Sequence, residues 1–548
     1  MLIEPAPPEE TKSPTTEARD LGFRGMARSA WAKVAAGIVV LYVALWLDSA
    51  HVFAGNSDGA TVILEGHSIA SGNLLLSGWS LSLDSFWGID TVFYALASDL
   101  VGIRGYLLHA VPAAIALCVV AVGAIMARDA REQGRGLAGM VAAVALLGAP
   151  TGALSAVYLT GPLHVGTALW ALIAFFALRR GRFGWGWALA VAVLTFGLLG
   201  DLLTLPLGVA PVIGVGISEM VRYRSWRHGI HSVSAGVAAL GLAKIMRTVL
   251  LAAGTFSIAK ANSPAPVNQV PVNLEHLPTF AAWLFGLVAN AFDRTPVPTG
   301  VALSHGLGLF VVVGSVLLAT LGLLEGLWRG KAAKHARSRA KYRLDDFLVV
   351  AFMADVTTFV LITPNNDPSY ARYLTPAYIF GSILAARIVT RIALRRGATV
   401  GGRIAGAVAL VATGGYAAGL LSEVVAPTAP NSAVQLVGFL KSHHLRLGVG
   451  DYWSSSITTV LSNNKVVVRP VVANNYGHVV RYGRQSSAHW YKGKTFQFLV
   501  YNPGLPWGGI TPTTIQATFG GWSREYTVGT YVIYVWKSDI HVGPVGYY

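Results

Sequence analysis

The residues of this chain best suited to chemistry sit at the ends of apolar runs or inside them. Asp58 lies in Asn56-Ser-Asp-Gly-Ala-Thr61, just after the first apolar run, where a carboxylate could take a proton as a general base. The same position suits a helix cap, because Ser57 or Asp58 precedes a helical run. Asp201 follows Gly200 between two apolar runs. It could share a site with Asp58, holding a metal or an acceptor, or simply mark a turn at the water interface. A divalent cation between Asp58 and Asp201 is one use of such a pair, but two carboxylates do not make a site. Glu65 and His164 are further candidates for acceptor or metal contact. Asp84 and Asp90 read as solvated or capping acids.

Cations supply the complement. Lys244 and Arg247 lie three residues apart inside an apolar run, hence on one helical face. Two cations at that depth call for an anion such as a lipid phosphate, or for snorkelling to the headgroups. Arg372 is the only basic residue in 364–372. It could clamp a phosphate or pair with Asp367. Asp355 is an acid inside a span with no evident partner. Walker-type and His-Glu-x-x-His motifs are absent.

The elements that must position these groups are membrane helices. Apolar residues make up 53% of the chain and charged residues 12%, about half the charge of a soluble domain. Eleven spans are predicted at 30–48, 104–127, 136–158, 164–178, 184–200, 201–221, 230–253, 304–328, 345–363, 373–390 and 403–421. The segment 49–103 is too broken to span and predicts surface helices around 58–70 and 84–100. The loop 254–303 carries an apolar stretch, Thr279–Phe292, suited to an interfacial or re-entrant position. Beyond 421 the apolar runs shorten to strand length at Lys465–Val472, Thr495–Tyr501 and Thr530–Trp536, with an amphipathic helix at Ser432–His443. Residues 422–548 therefore read as a soluble α/β domain, and 1–29 as a disordered cytoplasmic tail without a signal sequence. The lone cysteine, Cys118, rules out an intramolecular disulfide.

The net charge of +16 follows the same layout. Lys and Arg number four in 1–29, three in 128–135, three in 179–182, three in 222–227, seven in 329–343 and five in 387–403. The alternate gaps hold none in 49–103, none in 159–164, two in 254–303 and one in 364–372. This positive-inside alternation predicts a cytoplasmic N-terminus and an extracytoplasmic C-terminal domain. It explains the basicity through topology and inner-leaflet lipid, without nucleic acid. The Gly, Ala and Arg content suggests a bacterial plasma membrane.

Taken together, several features carry a resemblance. Ser57-Asp-Gly59 follows an N-in first span. Surface helices are separated by Gly72-Asn73 and Gly78-Trp79. An Asp lies at the later turn Gly200-Asp201, Arg372-Tyr-Leu-Thr-Pro376 opens a late span, and an α/β domain ends the chain. The chain thus resembles the GT-C-fold glycosyltransferases that use polyprenyl-phosphate sugars, the broad group of protein O-mannosyltransferases, aminoarabinose transferases and actinobacterial arabinosyltransferases. Leu447-Gly-Val-Gly-Asp-Tyr-Trp453 looks like the outer domains of bacterial members. The resemblance implies an inverting transfer to a glycan, lipid or protein acceptor on the outer face. In it Asp58 is the base, and Arg372, Lys244 and Arg247 meet the phosphate. Gly59 stands where some protein mannosyltransferases have a second acid. The competing readings are a transporter or flippase of a lipid-linked sugar, which would favour inverted repeats and broken helices, and a non-catalytic envelope scaffold.

Overall fold

The computed structural model describes residues 14–128, 136–258, 266–287, 299–329, 336–362, 368–395, 399–425, 427–428, 430–505 and 508–546. All eleven predicted spans are helical. They are α1 (Pro14–Val52), α4 (Leu107–Ala127), α5 (Gly136–Gly148) with α6 (Gly152–Tyr158), α7 (Val165–Leu178), α8 (Trp185–Gly200), α9 (Ala210–Tyr223), α10 (Ile230–Ala252), α12 (Thr299–Arg329), α13 (Ala336–Ile362), α14 (Thr375–Arg395) and α15 (Val400–Val424). Among the described residues seven helices are long and apolar enough to cross a bilayer by themselves, or eight if the bent pair α5–α6 counts as one span. The shortfall has a physical cause. Helices α7 and α8 have only 14 and 16 residues, and α13 carries Asp345, Asp346 and Asp355. Helix α7 is buried among its neighbours, which relaxes the demand for length, whereas α8 keeps an exposed apolar face at Trp185, Leu189 and Phe196. At the centre, 67% of the spanning windows of both α4 and α14 is buried, against 17–22% for α1, α10, α12 and α15, which form the outer wall.

Three expectations change. The stretch 136–158 is not one straight span. It breaks at Ala149-Pro150-Thr151 with a bend of 82°, because the residue before a proline leaves the helical region and Thr151 caps the new helix through Leu154 N–H. Residues 14–29, read as a disordered tail, form the start of α1; residues 1–13 lie outside the described residues. Of the apolar stretch Thr279–Phe292, Thr279–Leu284 form the end of a helix, α11 (Gln269–Leu284). That helix is tied to the bundle by Asn273 Nδ2 donating to Val360 O and Thr151 Oγ1 donating to Leu284 O; residues 288–298 lie outside the described residues. The tight turn at Gly200-Asp201 is present. It leads through a π-helical turn, Leu205–Val209, into α9.

The two ends of the bundle differ in chemistry. At one end Arg343 donates to Glu219 Oε2 and Ser232 Oγ, both at 2.8 Å, Arg222 pairs with Asp346 at 3.2 Å, and Arg387 and Arg391 both bind Asp345. These are four of the arginines counted in the basic gaps. The opposite end carries α2 (Ser57–Ala70), α3 (Asp90–Val101) and the C-terminal domain. Helix α2 matches its predicted range, whereas α3 starts at 90 rather than 84.

The domain holds α16 (Ser432–Ser442), α17 (Tyr452–Leu461) and α18 (Pro512–Phe519). Its strands are β3 (Leu447–Gly450), β4 (Val467–Ala473), β5 (Val479–Tyr482), β7 (Phe496–Tyr501), β8 (Arg524–Val528), β9 (Tyr531–Ile540) and β10 (Gly543–Gly546), in sheet order β10-β5-β4-β3-β7-β9-β8. Central β3 runs parallel to both β4 and β7. A second, three-stranded sheet joins membrane part and domain. In it β1 (Trp79–Leu81) lies between β2 (Ser257–Ile258) and β6 (Ser486–Ser487).

Candidate active site

Asp58 is placed from both sides. Asn56, not Ser57 or Asp58, caps α2: its Oδ1 accepts from Gly59 N–H at 3.0 Å. That leaves the Asp58 side chain available in the first turn, where the helix N-terminus favours negative charge. Helix α2 then packs on α17 of the C-terminal domain. Ser57 Oγ donates to Trp453 O at 2.9 Å and Thr61 Oγ1 donates to Ser456 Oγ at 2.8 Å. Asp451 starts α17, accepting from Ser454 N and Ser454 Oγ at 2.9 and 2.6 Å and from Asn502 N at 2.9 Å. This fixes the next residue, Tyr452, which is buried. Its hydroxyl donates to Asp58 Oδ1 and also meets Gln485 Oε1, and Gln485 bonds Asp58 as well. Gln485 holds a left-handed backbone, φ 44°, a conformation that costs energy in a non-glycine residue and gathers at functional sites. Burial pushes the Asp58 carboxyl above the ordinary range; Tyr452, the Arg372 charge and Gln485 pull it partly back.

Beside it lies a second group. Asp201 follows α8 and is buried, as is His164 at the start of α7. His164 Nδ1 and Asp201 Oδ2 are 2.7 Å apart, Thr167 Oγ1 donates to the same oxygen, and Leu203 N–H donates to Asp201 Oδ1 at 2.9 Å. Asp84 completes the group through a hydrogen bond to Asp201. Burial and the Asp201 charge push Asp84 up to about 6. Burial alone would raise Asp201 too, but His164, Thr167 and Leu203 hold it low. Burial alone would lower His164, yet Asp201 and Asp84 raise it. Of the two carboxyls, Asp84 is therefore the first to take a proton as pH falls.

Arg372 connects the two groups. It lies in the 3₁₀ turn Pro368–Leu374 before α14, and its charge lowers both Asp58 and Asp84. Its guanidinium is 5.2 Å from the Tyr373 ring centroid, and that ring sits 5.0 Å from His164. Asp367, its alternative partner, lies outside the described residues.

Asp90, expected to be solvated or capping, is fully buried with both carboxyl oxygens unpartnered. Burial, then the Asp201 charge, push it to about 7. Gly166 makes room for it: a Cβ there would lie 2.5 Å from Asp90 Oδ2. Glu65 is buried about two turns along α2 from Asp58, its Oε2 without a partner. Lys244 and Arg247 stand apart from both groups on the exposed face of α10, with Arg247 beside Trp87 and Phe256. Asp355 does have a partner: Ala377 N–H donates to its Oδ2 at 2.7 Å, so it caps the N-terminus of α14. Among the described residues no group of three or more His, Cys, Asp or Glu side chains is arranged for a metal ion. Nor does a cation shared by Asp58 and Asp201 fit. Both Asp201 oxygens are already bonded within the protein, and the charge facing Asp58 is that of Arg372.

Tyr452 and Gln485 were not among the sequence candidates. The available signal was Leu447-Gly-Val-Gly-Asp-Tyr-Trp453, whose glycines and helix-starting Asp mark a strand-to-helix turn.

No family model and no curated protein sequence matches the chain. Among solved structures, ArnT from Cupriavidus metallidurans is similar at TM-score 0.48 in its apo state, with 14% identity over 93% of this chain and 98% of that one. The same enzyme bound to undecaprenyl phosphate gives 0.47 and 15% over 92% and 98%. The archaeal oligosaccharyltransferase AglB from Archaeoglobus fulgidus, in complex with an inhibitory peptide and a dolichol-phosphate, gives 0.44 and 12% over 85% and 69%. At these values the likeness is one of overall architecture, and the roles of individual residues rest on the geometry above.

Proposed function

We propose that this chain is an inverting glycosyltransferase that moves a sugar from a polyprenyl-phosphate carrier to an envelope acceptor. The observation that carries this reading is Asp58. It is a half-buried carboxyl held by Tyr452 and Gln485 from one domain and facing the Arg372 charge from the other. In the proposed step the acceptor hydroxyl gives its proton to Asp58. Its oxygen forms the new bond to the anomeric carbon as the bond from that carbon to the phosphate oxygen breaks. Polyprenyl phosphate leaves with the electron pair, and Arg372 meets the charge it carries away. A carboxyl whose acidity is lowered suits a base near neutral pH, and a fixed cation in a site of low dielectric stabilises a departing phosphate strongly. His164, Asp201 and Asp84 position Arg372 and Tyr373. Lys244 and Arg247, on the outer wall, attract the phosphate of a lipid as it enters laterally.

The site lies at the end of the bundle opposite the basic gaps. By the positive-inside rule that end is extracytoplasmic, and we place the protein in the plasma membrane of a bacterium. The broken pair α5–α6 is the one observation favouring a transporter. One assay separates the readings: purified protein in nanodiscs, a panel of polyprenyl-phosphate sugars with candidate acceptors, and release of free polyprenyl phosphate as readout. Release that disappears in Asp58→Asn supports transfer. Donor binding without release by either protein, whatever the acceptor, overturns it.

A further inference from the structure

A second cleft opens where the C-terminal half of α2 meets the three-stranded sheet and the C-terminal domain. Its volume is about 220 Å³, below the roughly 300–1,000 Å³ of pockets for drug-sized ligands, so it admits one ring-sized unit of a longer molecule. The sheet builds it. Ala488 N–H donates to Gly78 O at 2.7 Å, and Gly78 (φ 78°) lets His489 approach where a Cβ would fall 2.7 Å from its Nε2.

The groups lining this cleft are donors. Arg469 of β4 lies with its guanidinium carbon 4.2 Å over the Trp490 ring, and its Nη1 is buried without a hydrogen-bond partner. His67 Nδ1 is likewise buried and unpartnered. Ser68 Oγ accepts from Trp79 Nε1 at 3.3 Å, and Ser487 Oγ accepts from His489 N–H at 3.4 Å, which leaves both hydroxyl protons to donate. No Asp or Glu is among the described residues that line the cleft. Burial without a counter-ion draws Arg469 down to about 10. A buried donor left unmade is costly, and a cationic, acid-free pocket with an indole wall selects a ligand that carries both an anion and hydroxyls.

We infer that this cleft binds an acidic saccharide, one sugar ring whose carboxylate meets Arg469 while its hydroxyls take the His67, Ser68 and Ser487 donors. His67 is nine residues after Asp58 on one helix, about 14 Å at ~1.5 Å per residue. The cleft is therefore distinct from the transfer site, yet one extended oligosaccharide reaches both. Its service as a holder for the acceptor rests on the transferase reading; the binding itself does not.

The test is calorimetric titration of the full-length protein in nanodiscs with a hexuronic-acid disaccharide, the matched neutral disaccharide and inorganic phosphate. The acidic disaccharide is expected to bind at least tenfold tighter than either of the others. Arg469→Gln should weaken it at least tenfold and His67→Leu several-fold, with melting temperatures checked in parallel. Equal affinity for the neutral sugar overturns the inference, as does phosphate binding that matches the acidic sugar, or unchanged binding in His67→Leu. That last variant decides the matter if Arg469→Gln fails to fold. Asp58→Asn separates the two readings. Acidic-sugar binding that persists there, with release lost, supports both. Release that persists in Asp58→Asn overturns the assignment of the base and leaves the cleft standing.

Discussion

Removing one oxygen tests the assignment of Asp58 most directly. Tyr452→Phe keeps the buried ring and deletes the hydroxyl that donates to Asp58 Oδ1. A hydrogen bond to a charged group contributes about 1.5–3 kcal/mol, and about 1.4 kcal/mol corresponds to one pH unit. Tyr452 holds the carboxylate down against burial, so without it Asp58 takes its proton more readily. The acidic limb of the kcat/KM profile for polyprenyl phosphate release should move up by about one pH unit or more. The loss should be largest on the acidic side and shrink as pH rises past the new limb. A purely structural role would instead depress the rate equally at every pH. A uniform loss, or an unmoved profile with full activity, would refute the coupling of Tyr452 to the base. The melting temperature, measured alongside, should fall modestly, since Gln485 loses a partner in the same change.

Four other outcomes follow from the geometry. Arg372→Gln should lower turnover about 10²–10³-fold, as loss of one charge-stabilising group does, and weaken donor binding; release near the wild-type rate would remove Arg372 from the site. Gly166→Ala drives a Cβ to 2.5 Å from Asp90 Oδ2 and 2.8 Å from Ile89 Cγ2, so it should cost about 1–3 kcal/mol, seen as a lower melting temperature. Asp90 rises from 3.8 unfolded to about 7 folded; the folded state then binds the extra proton, so its contribution is full below pH ~4 and is lost as pH rises through 7, with an upper limit on the order of 4 kcal/mol. Asp90→Asn should flatten that decline in melting temperature between pH 4.5 and 8.5. Asp355→Ala should cost about 1–2 kcal/mol through loss of the α14 cap, and Asp355→Asn less; equal melting temperatures for all three proteins would show the cap to be dispensable.

What the sequence made legible follows from how local each signal is. Apolar runs located the helices because bilayer burial is written residue by residue, and the strand segments near 467, 496 and 531 stood out by length and β-branching. The bend at Pro150 carried a signal, but a 23-residue apolar run outweighed it. Asp58 and Arg372 could be singled out because a charge at the end of an apolar run is costly. Their partners could not. Tyr452 and Gln485 reach Asp58 only through the order of a seven-stranded sheet, and no local pattern encodes that pairing. Asp84 and Asp90 looked like solvated acids because sequence gives their polarity and not their burial. Lys244 and Arg247 share a face as predicted, but which way that face points depends on the packing of α8 and α9 around α10.

The boundary near residue 422 is a change of composition rather than of function. A domain that merely followed the bundle would meet it through a linker, and its loss would leave the acid and the cation in place. Here the acid belongs to α2 and the groups that hold it, Tyr452 and Gln485, belong to the C-terminal domain. Strand β1 of the membrane part is hydrogen-bonded on one side to β2, next to the loop after α10, and on the other to β6. Gln485 immediately precedes β6, so the strand that docks the domain also fixes the residue that bonds Asp58. Docking and the tuning of Asp58 therefore share one interface, β6 on β1 for Gln485 and α17 on α2 for Tyr452. A change that separates β6 from β1 would release Gln485 while α17, still held on α2, keeps Tyr452 in place, and the Asp58 carboxyl would move upward by the loss of the Gln485 hydrogen bond alone.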